Sequence, residues 1–355
     1  MTTYIRRLLS SVIPILILSI FLSACDLPGD TQTSIPDGAD FAVYFLDVGQ
    51  ADSTLIVCNE NKTKNVMLID GGNPSDSNLV YAFLKKHSIS HIDYIVATHA
   101  HEDHVGGLAG ALNYATADVA FAPVKTHTSR SFTSFNKYLE KQGVSITVPK
   151  HGDKHKLGSA DFEILGPVNP SNDPNNTSIV IKVTFGKTKF LFTGDAGRPE
   201  EADILEKGYD LSADVLKVGH HGSDTSSTYP FLREIMPKYA VISCGKGNKY
   251  GHPHEGLLSR LRDADAKVYR TDMQGTVICT SNGKDISFKT DKNTAVQTNP
   301  TEKPVKVSSY IGNVNSHKFH RPDCSGLPDE KNRKIFKNKA EAVEEGFEPC
   351  GRCRP

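Results

Sequence analysis

The densest set of chemically active side chains follows the apolar residues 93–97. It is the segment Thr98-His99-Ala100-His101-Glu102-Asp103-His104. If these imidazoles and carboxylates were buried only for packing, each of them would need a polar partner. Imidazole and carboxylate together suit zinc and also accept manganese or iron. The spacing predicts that His99 and His101 face one ion, while Asp103 and His104 face a second.

Further ligand types stand at the ends of later strand-like stretches. Asp195 follows Phe190-Leu191-Phe192-Thr193-Gly194, and its two oxygens suit a bridge between cations. His220 and His221 follow Leu216-Lys217-Val218-Gly219, and His252 stands in Gly251-His252-Pro253-His254. Adjacent side chains of an extended chain point to opposite faces, so only one of His220 and His221 is expected to bind metal directly. Each stretch alone is weak, but with the first segment they complete a two-metal ligand set.

The elements that must position these residues alternate between strand and helix. The pattern predicts strands at 41–47, 53–57, 65–69, 94–98, 145–148, 178–185, 188–193, 214–218 and 239–243, with three more ending near 289. It predicts helices at 79–87, 131–142, 200–207, 229–235 and 256–263, and a hairpin turn at Gly186-Lys187. Such alternation indicates an α/β (α+β) fold of two sheets with helices outside them.

The string THAHEDH resembles the HxHxDH signature of the metallo-β-lactamase superfamily. The resemblance implies an αββα sandwich over residues 41–290. The wider motif set resembles a subgroup that includes the hydrolase domain of the competence protein ComEC and a teichoic-acid choline-phosphate esterase. That set is Asp47-Val48-Gly49-Gln50-Ala51-Asp52, Leu68-Ile69-Asp70-Gly71-Gly72, Thr193-Gly194-Asp195, His220-His221-Gly222-Ser223 and His252-Pro253.

This chain departs from the superfamily pattern at one ligand. His127, His151 and His155 lie where a third-motif His would stand, but none has the matching context. The resemblance implies that His220 or His221 takes that place. It also implies substrate contact for Asn175 or Asn176.

The implied chemistry is hydrolysis by two divalent ions, zinc or manganese, which acidify a water and polarise a phosphoryl or acyl oxygen. The expected catalytic residues are Asp103, His220 and Asp70. Asp70 is expected to accept the second N–H of a ligand His. A structural Asp in a turn is the alternative for that residue.

Residues 308–355 form a separate small unit after a polar linker at 291–307. His320, Cys324, Cys350 and Cys353 give the pattern H-x3-C followed by C-x2-C, which is typical of a closed structural zinc site. A unit this small has too little core to hold itself without a metal. A disulfide involving Cys324, or joining Cys350 and Cys353, is the alternative. The segment resembles the zinc-binding domain of the Ada repair protein, with His320 where that family has a Cys.

The small unit is basic and the rest of the chain is acidic. Residues 303–355 hold 11 Lys/Arg against 7 Asp/Glu, while residues 26–302 hold 28 against 34. Nucleic acid is therefore an expected partner. A solvated basic face is the alternative. The basic residues closest in sequence to the predicted zinc site are Lys331, Arg333, Lys334, Lys337 and Lys339.

The N-terminal residues 1–25 resemble a lipoprotein signal peptide. Arg6 and Arg7 precede an apolar run, and Leu22-Ser23-Ala24-Cys25 resembles a lipobox that would anchor the chain through Cys25. Ordinary signal cleavage and an uncleaved anchor are alternatives. All three place the protein outside the cytoplasmic membrane, with residues 26–40 as a flexible tether.

Composition and motifs together favour a hydrolase. With 38% hydrophobic and 23% charged residues, the chain is neither a disordered nor a membrane-spanning protein. The leading hypothesis is a phosphodiesterase or nuclease acting on extracellular DNA or RNA. The alternatives are an esterase of cell-wall teichoic-acid phosphodiesters and a non-catalytic surface receptor for DNA.

Overall fold

The computed structural model describes residues 39–61, 63–292, 295–299, 309–322, 324, 326–351 and 355. The proposed signal segment, Cys25 and Cys353 lie outside these residues. Among the described residues, no helix combines the length and apolarity needed to cross a bilayer.

The first part of the chain builds most of one sheet. Its strands are β1 (Phe41–Phe45), β2 (Thr54–Glu60), β3 (Thr63–Ile69), β4 (His91–Val96), β5 (Thr116–Phe121) and β6 (Ile146–Thr147). The helices between them are α1 (Ser77–Lys86), α2 (Glu102–Val105), α3 (Leu108–Tyr114) and α4 (Arg130–Lys141). Strands β3 to β6 run parallel, so their carboxyl ends meet at one edge.

The middle of the chain builds a second sheet in the order β13-β12-β11-β10-β9-β8-β7. Its strands are β7 (Lys154–Leu157), β8 (Ala160–Gly166), β9 (Val180–Phe185), β10 (Thr188–Phe192), β11 (Val215–Lys217), β12 (Tyr239–Ile242) and β13 (Lys267–Arg270). The helices here are α5 (Arg198–Glu206), α6 (Tyr229–Ile235), α7 (Glu255–Asp263) and α8 (Thr271–Gln274). The chain then returns to the first sheet with β14 (Val277–Ser281) and β15 (Ile286–Thr290), and β14 pairs with β1.

The two sheets face each other, and helices cover their outer surfaces. Strand β1 has apolar residues on both of its faces, as this arrangement requires. Phe41, Val43 and Phe45 pack between the sheets, while Ala42 and Tyr44 pack under the helices. A third apolar cluster lies between the second sheet and helices α5 to α7. The predicted αββα sandwich is confirmed, and so is the hairpin turn at Gly186-Lys187, because Phe185 pairs with Thr188.

The small C-terminal unit is a separate sheet with the order β18-β16-β17-β19. Its elements are β16 (Tyr310–Asn313), β17 (Lys318–His320), β18 (Arg333–Phe336), α9 (Lys339–Glu344) and β19 (Glu348–Pro349). Among the described residues of this unit, five buried apolar side chains form the core: Tyr310, Phe319, Phe336, Ala342 and Phe347. It contacts the sandwich through Lys339, whose Nζ lies 2.7 Å from Asp263 Oδ2.

Gly106 and Gly107 allow close packing between two loops just before α3. Both have negative φ, −55° and −88°. A Cβ on Gly107 would lie 1.9 Å from the Gly71 carbonyl oxygen, and one on Gly106 would lie 2.3 Å from the backbone of Asn73. The glycines therefore let the His-rich loop press against the loop that follows β3.

Candidate metal centre

The predicted ligands gather at one edge of the sandwich because they follow strands that end there. Asp70 comes after β3, the His-rich segment after β4, Asp195 after β10, and the His220-His221 pair after β11. Strands β3 and β4 are parallel, as are β10 and β11, so each sheet presents its loops at the same edge.

Asp195 is the centre of this group. Its Oδ1 lies 3.3 Å from His104 Nε2, and its Oδ2 lies 4.0 Å from His99 Nε2. His99 Nε2 lies 3.0 Å from His101 Nδ1, and Asp103 Oδ2 lies 3.3 Å from His221 Nε2. His104 thus faces one oxygen of Asp195 and His99 faces the other, and the division of the ligands between two ions stays a prediction.

Both imidazoles of the His220-His221 pair face Asp195, although side-chain alternation predicted that only one would bind metal directly. Their Nε2 atoms lie 3.8 and 3.6 Å from Asp195 Oδ2. The alternation argument fails because the backbone is not extended here: φ is 49° at His220 and 52° at His221, both left-handed. Two consecutive left-handed residues turn both rings to the same side.

A second set of side chains fixes the orientation of the imidazoles. His104 Nδ1 donates to Asp70 Oδ2 at 2.8 Å, the arrangement predicted for Asp70. The same carboxylate accepts hydrogen bonds from the backbone N–H and hydroxyl of Thr98, each at 2.8 Å. His221 Nδ1 donates to the Ser243 carbonyl oxygen at 3.2 Å. These contacts leave Nε2 of both rings directed at the carboxylates.

Asp52 and Lys217 are site residues for which the sequence predicted no role. Asp52 Oδ2 pairs with Lys217 Nζ at 2.7 Å, and Asp52 Oδ1 lies 3.5 Å from His221 Nδ1. Both side chains are buried. The residues are far apart in sequence, and only the fold brings them together. The sequence did offer one indication of a role for Asp52, because this carboxylate ends the motif at residues 47–52 that resembles the ComEC subgroup.

The atoms that face inward are those a metal ion would satisfy. Among the described side chains, His104 Nε2, His221 Nε2 and Asp195 Oδ1 are buried and have no hydrogen-bond partner. Buried polar atoms are normally paired. Ligand atoms of Asp52, His104, Asp195 and His221 lie within 4.8 Å of one another. The outward nitrogens of the rings are bonded while the inward atoms are not, so the donor set fits divalent metal ions.

Neighbouring imidazoles keep the carboxylates of the site ionised. Burial opposes ionisation of Asp195, but the imidazoles of His104 and His221 outweigh it and hold its pKa well below the ordinary range. Burial likewise opposes ionisation of Asp103, yet the neighbouring imidazoles of His221 and His104 lower its pKa to about 2. Burial lowers the pKa of His220. The carboxylates are therefore ionised, and His220 is a neutral imidazole able to donate a lone pair.

The metal-facing atoms open into a cavity of about 330 Å³. Gln50, Asn175, His220, Tyr250 and His252 are among its lining residues. His252 was predicted as a ligand, but its Nδ1 accepts from Gln50 Nε2 at 3.2 Å and its ring centroid lies 5.8 Å from that of His220. The structure therefore places His252 in the cavity wall, and direct coordination by it stays a prediction.

The two asparagines expected near substrate differ in position. Asn175 lines the cavity. Asn176 is buried: it accepts a hydrogen bond from Gly197 N at 3.1 Å and donates one to Asp173 Oδ2 at 3.1 Å. Asn176 thus braces the loop after Asp195, and Asn175 is the residue of the pair that faces the cavity.

The C-terminal unit gathers a second ligand group. His320, Cys324 and Cys350 are buried, and their ligand atoms lie within 4.8 Å of one another. His320 Nδ1 lies 3.4 Å from Cys324 Sγ. Among the described cysteines, Cys324 forms no disulfide. The group fits a structural zinc site, and Cys353, its predicted fourth ligand, lies outside the described residues.

Part of the predicted basic face is engaged with acids. Lys339, expected to favour a polyanion, pairs with Asp263 and is largely covered. Lys334 pairs with Glu345. Lys331, Arg333 and Lys337 remain exposed. The positive charge available to a polyanion is therefore smaller than the sequence suggested.

Comparison with known proteins identifies two families and several relatives. Residues 293–355 match the metal binding domain of Ada, beginning inside the predicted linker. ComE operon protein 3 of Bacillus subtilis is 30% identical over 66% of this chain and 32% of its own length. Competence protein ComA of Neisseria gonorrhoeae is 30% identical over 69% of this chain and 33% of its own. Recombination protein 2 of Haemophilus influenzae is 32% identical over 65% of this chain and 28% of its own length.

The chain thus spans about a third of the length of these curated relatives. Residues 46–246 match the model of the metallo-beta-lactamase superfamily, and this span is more than half of the 355 residues. The match covers the ligands that follow β4, β10 and β11. The chain belongs to the metallo-beta-lactamase superfamily.

Proposed function

We propose that this protein is a two-metal-dependent phosphodiesterase that cleaves nucleic acid outside the cytoplasmic membrane. The observation that carries the proposal is the open cavity above Asp103, Asp195 and the imidazoles. Asp195 and His221 are buried at its base, yet its mouth is continuous with solvent. A polymer backbone can reach such a site without being enclosed.

The bound ions would polarise the scissile phosphoryl oxygen and acidify the attacking water. His99, His101, Asp103, His104, Asp195, His220 and His221 are the residues that would hold them. Asp70 fixes the ring of His104, and Asp52 with Ser243 fixes the ring of His221. Held in this way, the ligands need no rearrangement when substrate arrives.

The choice of nucleic acid rests on two supports. The relatives carry names that refer to competence and recombination. The C-terminal unit matches the metal binding domain of Ada and exposes Lys331, Arg333 and Lys337. Basic side chains on a small module beside a hydrolase would hold a polyanion near the cavity. An anchor on Cys25 would keep both at the membrane surface.

The test uses protein that lacks residues 1–25, loaded with zinc or manganese. Single- and double-stranded DNA and RNA are incubated with it, with Asp103→Asn, and with Asp118→Asn as the matched control. Asp118 is an exposed carboxylate outside the cavity. Cleavage by the parent and Asp118→Asn, lost in Asp103→Asn, is the expected result.

The competing functions predict different outcomes of the same experiment. An esterase of cell-wall phosphodiesters would leave nucleic acid intact and release phosphocholine or sugar phosphate from isolated walls. A non-catalytic receptor would bind DNA equally well with and without the Asp103→Asn change and turn over neither substrate. Either outcome contradicts the proposal.

A further inference from the structure

A second cavity adjoins the metal cavity. It has a volume of about 500 Å³ and shares Gln50, Glu102, Asp103 and Tyr250 with the first. Asn73, Asn248 and Lys249 complete its lining. The two cavities thus form one groove that begins at Asp103 and passes Tyr250.

Tyr250 is presented to this groove rather than packed. Its exposed fraction is 55%, and it is the one aromatic residue among the exposed large hydrophobic residues of the described chain. Its ring lies close to parallel with the ring of His252, with centroids 5.6 Å apart and planes at 23°. An exposed aromatic face beside a metal centre is a surface for stacking a planar group.

Asn248 holds the loop that carries Tyr250. Its Oδ1 accepts hydrogen bonds from Tyr250 N at 3.1 Å and His252 N at 3.0 Å. Its Nδ2 donates to the carbonyl oxygens of Gly245 and His252. These contacts fix the backbone on both sides of Tyr250, so the ring is oriented before any ligand binds.

Lys249 selects the kind of ligand. Its Nζ lies 5.0 Å from the centroid of the Tyr250 ring. Any group that stacks here displaces this flexible ammonium from the ring, and the ammonium then repels a quaternary ammonium such as choline but attracts a phosphate. A planar base with an attached phosphate suits both residues, since the ring offers stacking and Lys249 offers positive charge.

We propose that Tyr250 and Lys249 form a nucleotide subsite for single-stranded nucleic acid, with the base stacked on Tyr250 and its phosphate at Lys249. This subsite rests on the proposed phosphodiesterase function. It predicts a preference for single strands, because the bases of a duplex are already stacked and paired. It also gives Tyr250 a role in specificity that is separate from the metal ligands.

The test compares a single-stranded oligonucleotide with an abasic strand of the same length. Tyr250→Ala should lower the ratio of kcat/KM for the base-bearing strand to that for the abasic strand by about 10- to 100-fold. Tyr250→Phe, which keeps the aromatic face, should retain the ratio of the parent. Lys249→Met should reduce the slope of log affinity against log salt by about 0.7. An unchanged ratio in Tyr250→Ala, with the parent's melting temperature, overturns the subsite.

A binding measurement separates failure of the subsite from failure of the proposed function. An oligonucleotide containing the fluorescent base ethenoadenine is titrated into Asp103→Asn protein and into the same protein with Tyr250→Ala. Quenching that depends on Tyr250 supports the subsite even if the parent cleaves no nucleic acid. Equal affinities in the two proteins overturn the subsite even if the parent is an active nuclease.

Discussion

The two ligand groups of this molecule stand in very different surroundings. The group around Asp195 lies on loops between two large sheets, backed by three apolar clusters. The group of His320, Cys324 and Cys350 belongs to a unit whose core has five buried apolar side chains. A large core folds without help, whereas a very small one needs a cross-link or a metal. The sandwich would use metal for chemistry, and the C-terminal unit would use it for folding.

The ligand types agree with this division. Carboxylate and imidazole leave room for water and substrate at a catalytic ion, and the cavity beside Asp195 supplies that room. Thiolate and imidazole groups that are wholly buried are typical of closed structural sites. His320, Cys324 and Cys350 are all buried. Each site can therefore be removed on its own, and the consequences should differ.

The largest effect is expected from Asp195→Asn. The change removes the charge whose oxygens face His99, His104, His220 and His221. We expect the rate of phosphodiester hydrolysis to fall by about 10³-fold or more, because the ions supply several kcal/mol of charge stabilisation. Metal content, measured by mass spectrometry, should fall from about three ions per chain to about one.

The control for that change is Asp118→Asn, which alters an exposed carboxylate on β5 of the first sheet. Circular dichroism should show both variants folded. If Asp195→Asn protein is unfolded, the sandwich depends on metal for stability as well. That result would contradict the proposed difference between the sandwich and the C-terminal unit.

The next effect is expected from Cys324→Ser, which removes a thiolate from the C-terminal group. Because metal binding supplies folding free energy in small metal domains, the opening free energy of residues 309–351 should fall by more than about 3 kcal/mol. Hydrogen exchange of β16 and β17 should report the loss, while β3 and β4 keep their protection. Cys279→Ser, a buried thiol of the sandwich, should give the opposite pattern. Loss of protection in both regions would contradict independent folding.

Local signals in the sequence were sufficient to predict most of the site. The His-rich segment and Asp195 each follow an apolar strand, and a strand end is a place where polar side chains can meet. The alternation rule failed at His220 and His221 because it assumes an extended backbone, and both residues are left-handed. No local pattern marks a pair of consecutive left-handed histidines.

Contacts between distant segments were not predictable. The ion pair of Asp52 with Lys217 joins the first sheet to the second, and neither residue shows this in its own neighbourhood. The pairing of Lys339 with Asp263 likewise removes a charge that the sequence assigned to a basic face. Strand β7, Lys154–Leu157, escaped prediction because it is mostly polar and half-exposed. Strands β5 and β8 also escaped prediction, although both carry buried apolar residues.

A smaller effect is expected from Asp70→Asn. This carboxylate accepts the Nδ1–H of His104 and two hydrogen bonds from Thr98. Loss of such a partner usually weakens metal binding by about 10- to 100-fold. Chelator competition should show that weakening for the ions of the sandwich and no change for the C-terminal ion. Asp93→Asn is the control, because Asp93 accepts a hydrogen bond from Val66 N outside the site. A structural Asp70 would leave the metal affinity unchanged.

The smallest effect concerns Glu200, a buried acid on α5 of the sandwich. Burial raises its pKa from 4.5 to about 8, and its Oε1 accepts a hydrogen bond from Val168 N at 2.8 Å. The folded state binds this proton more tightly than the unfolded state. Its contribution to stability is therefore present below pH 4.5 and is lost as the pH rises towards 8. Glu200→Gln keeps an oxygen acceptor and has no proton to lose.

Urea unfolding of the parent and of Glu200→Gln at two pH values tests this linkage. The free energy of unfolding of the variant, relative to the parent, should be higher at pH ~8.5 than at pH ~5.5 by about 3 kcal/mol. Effects of pH on metal binding are common to both proteins and cancel in the difference. Equal differences at the two pH values would mean that Glu200 is ionised in the fold. Water would then reach the Glu200 carboxylate, and the packing around α5 would be looser than the burial of this side chain indicates.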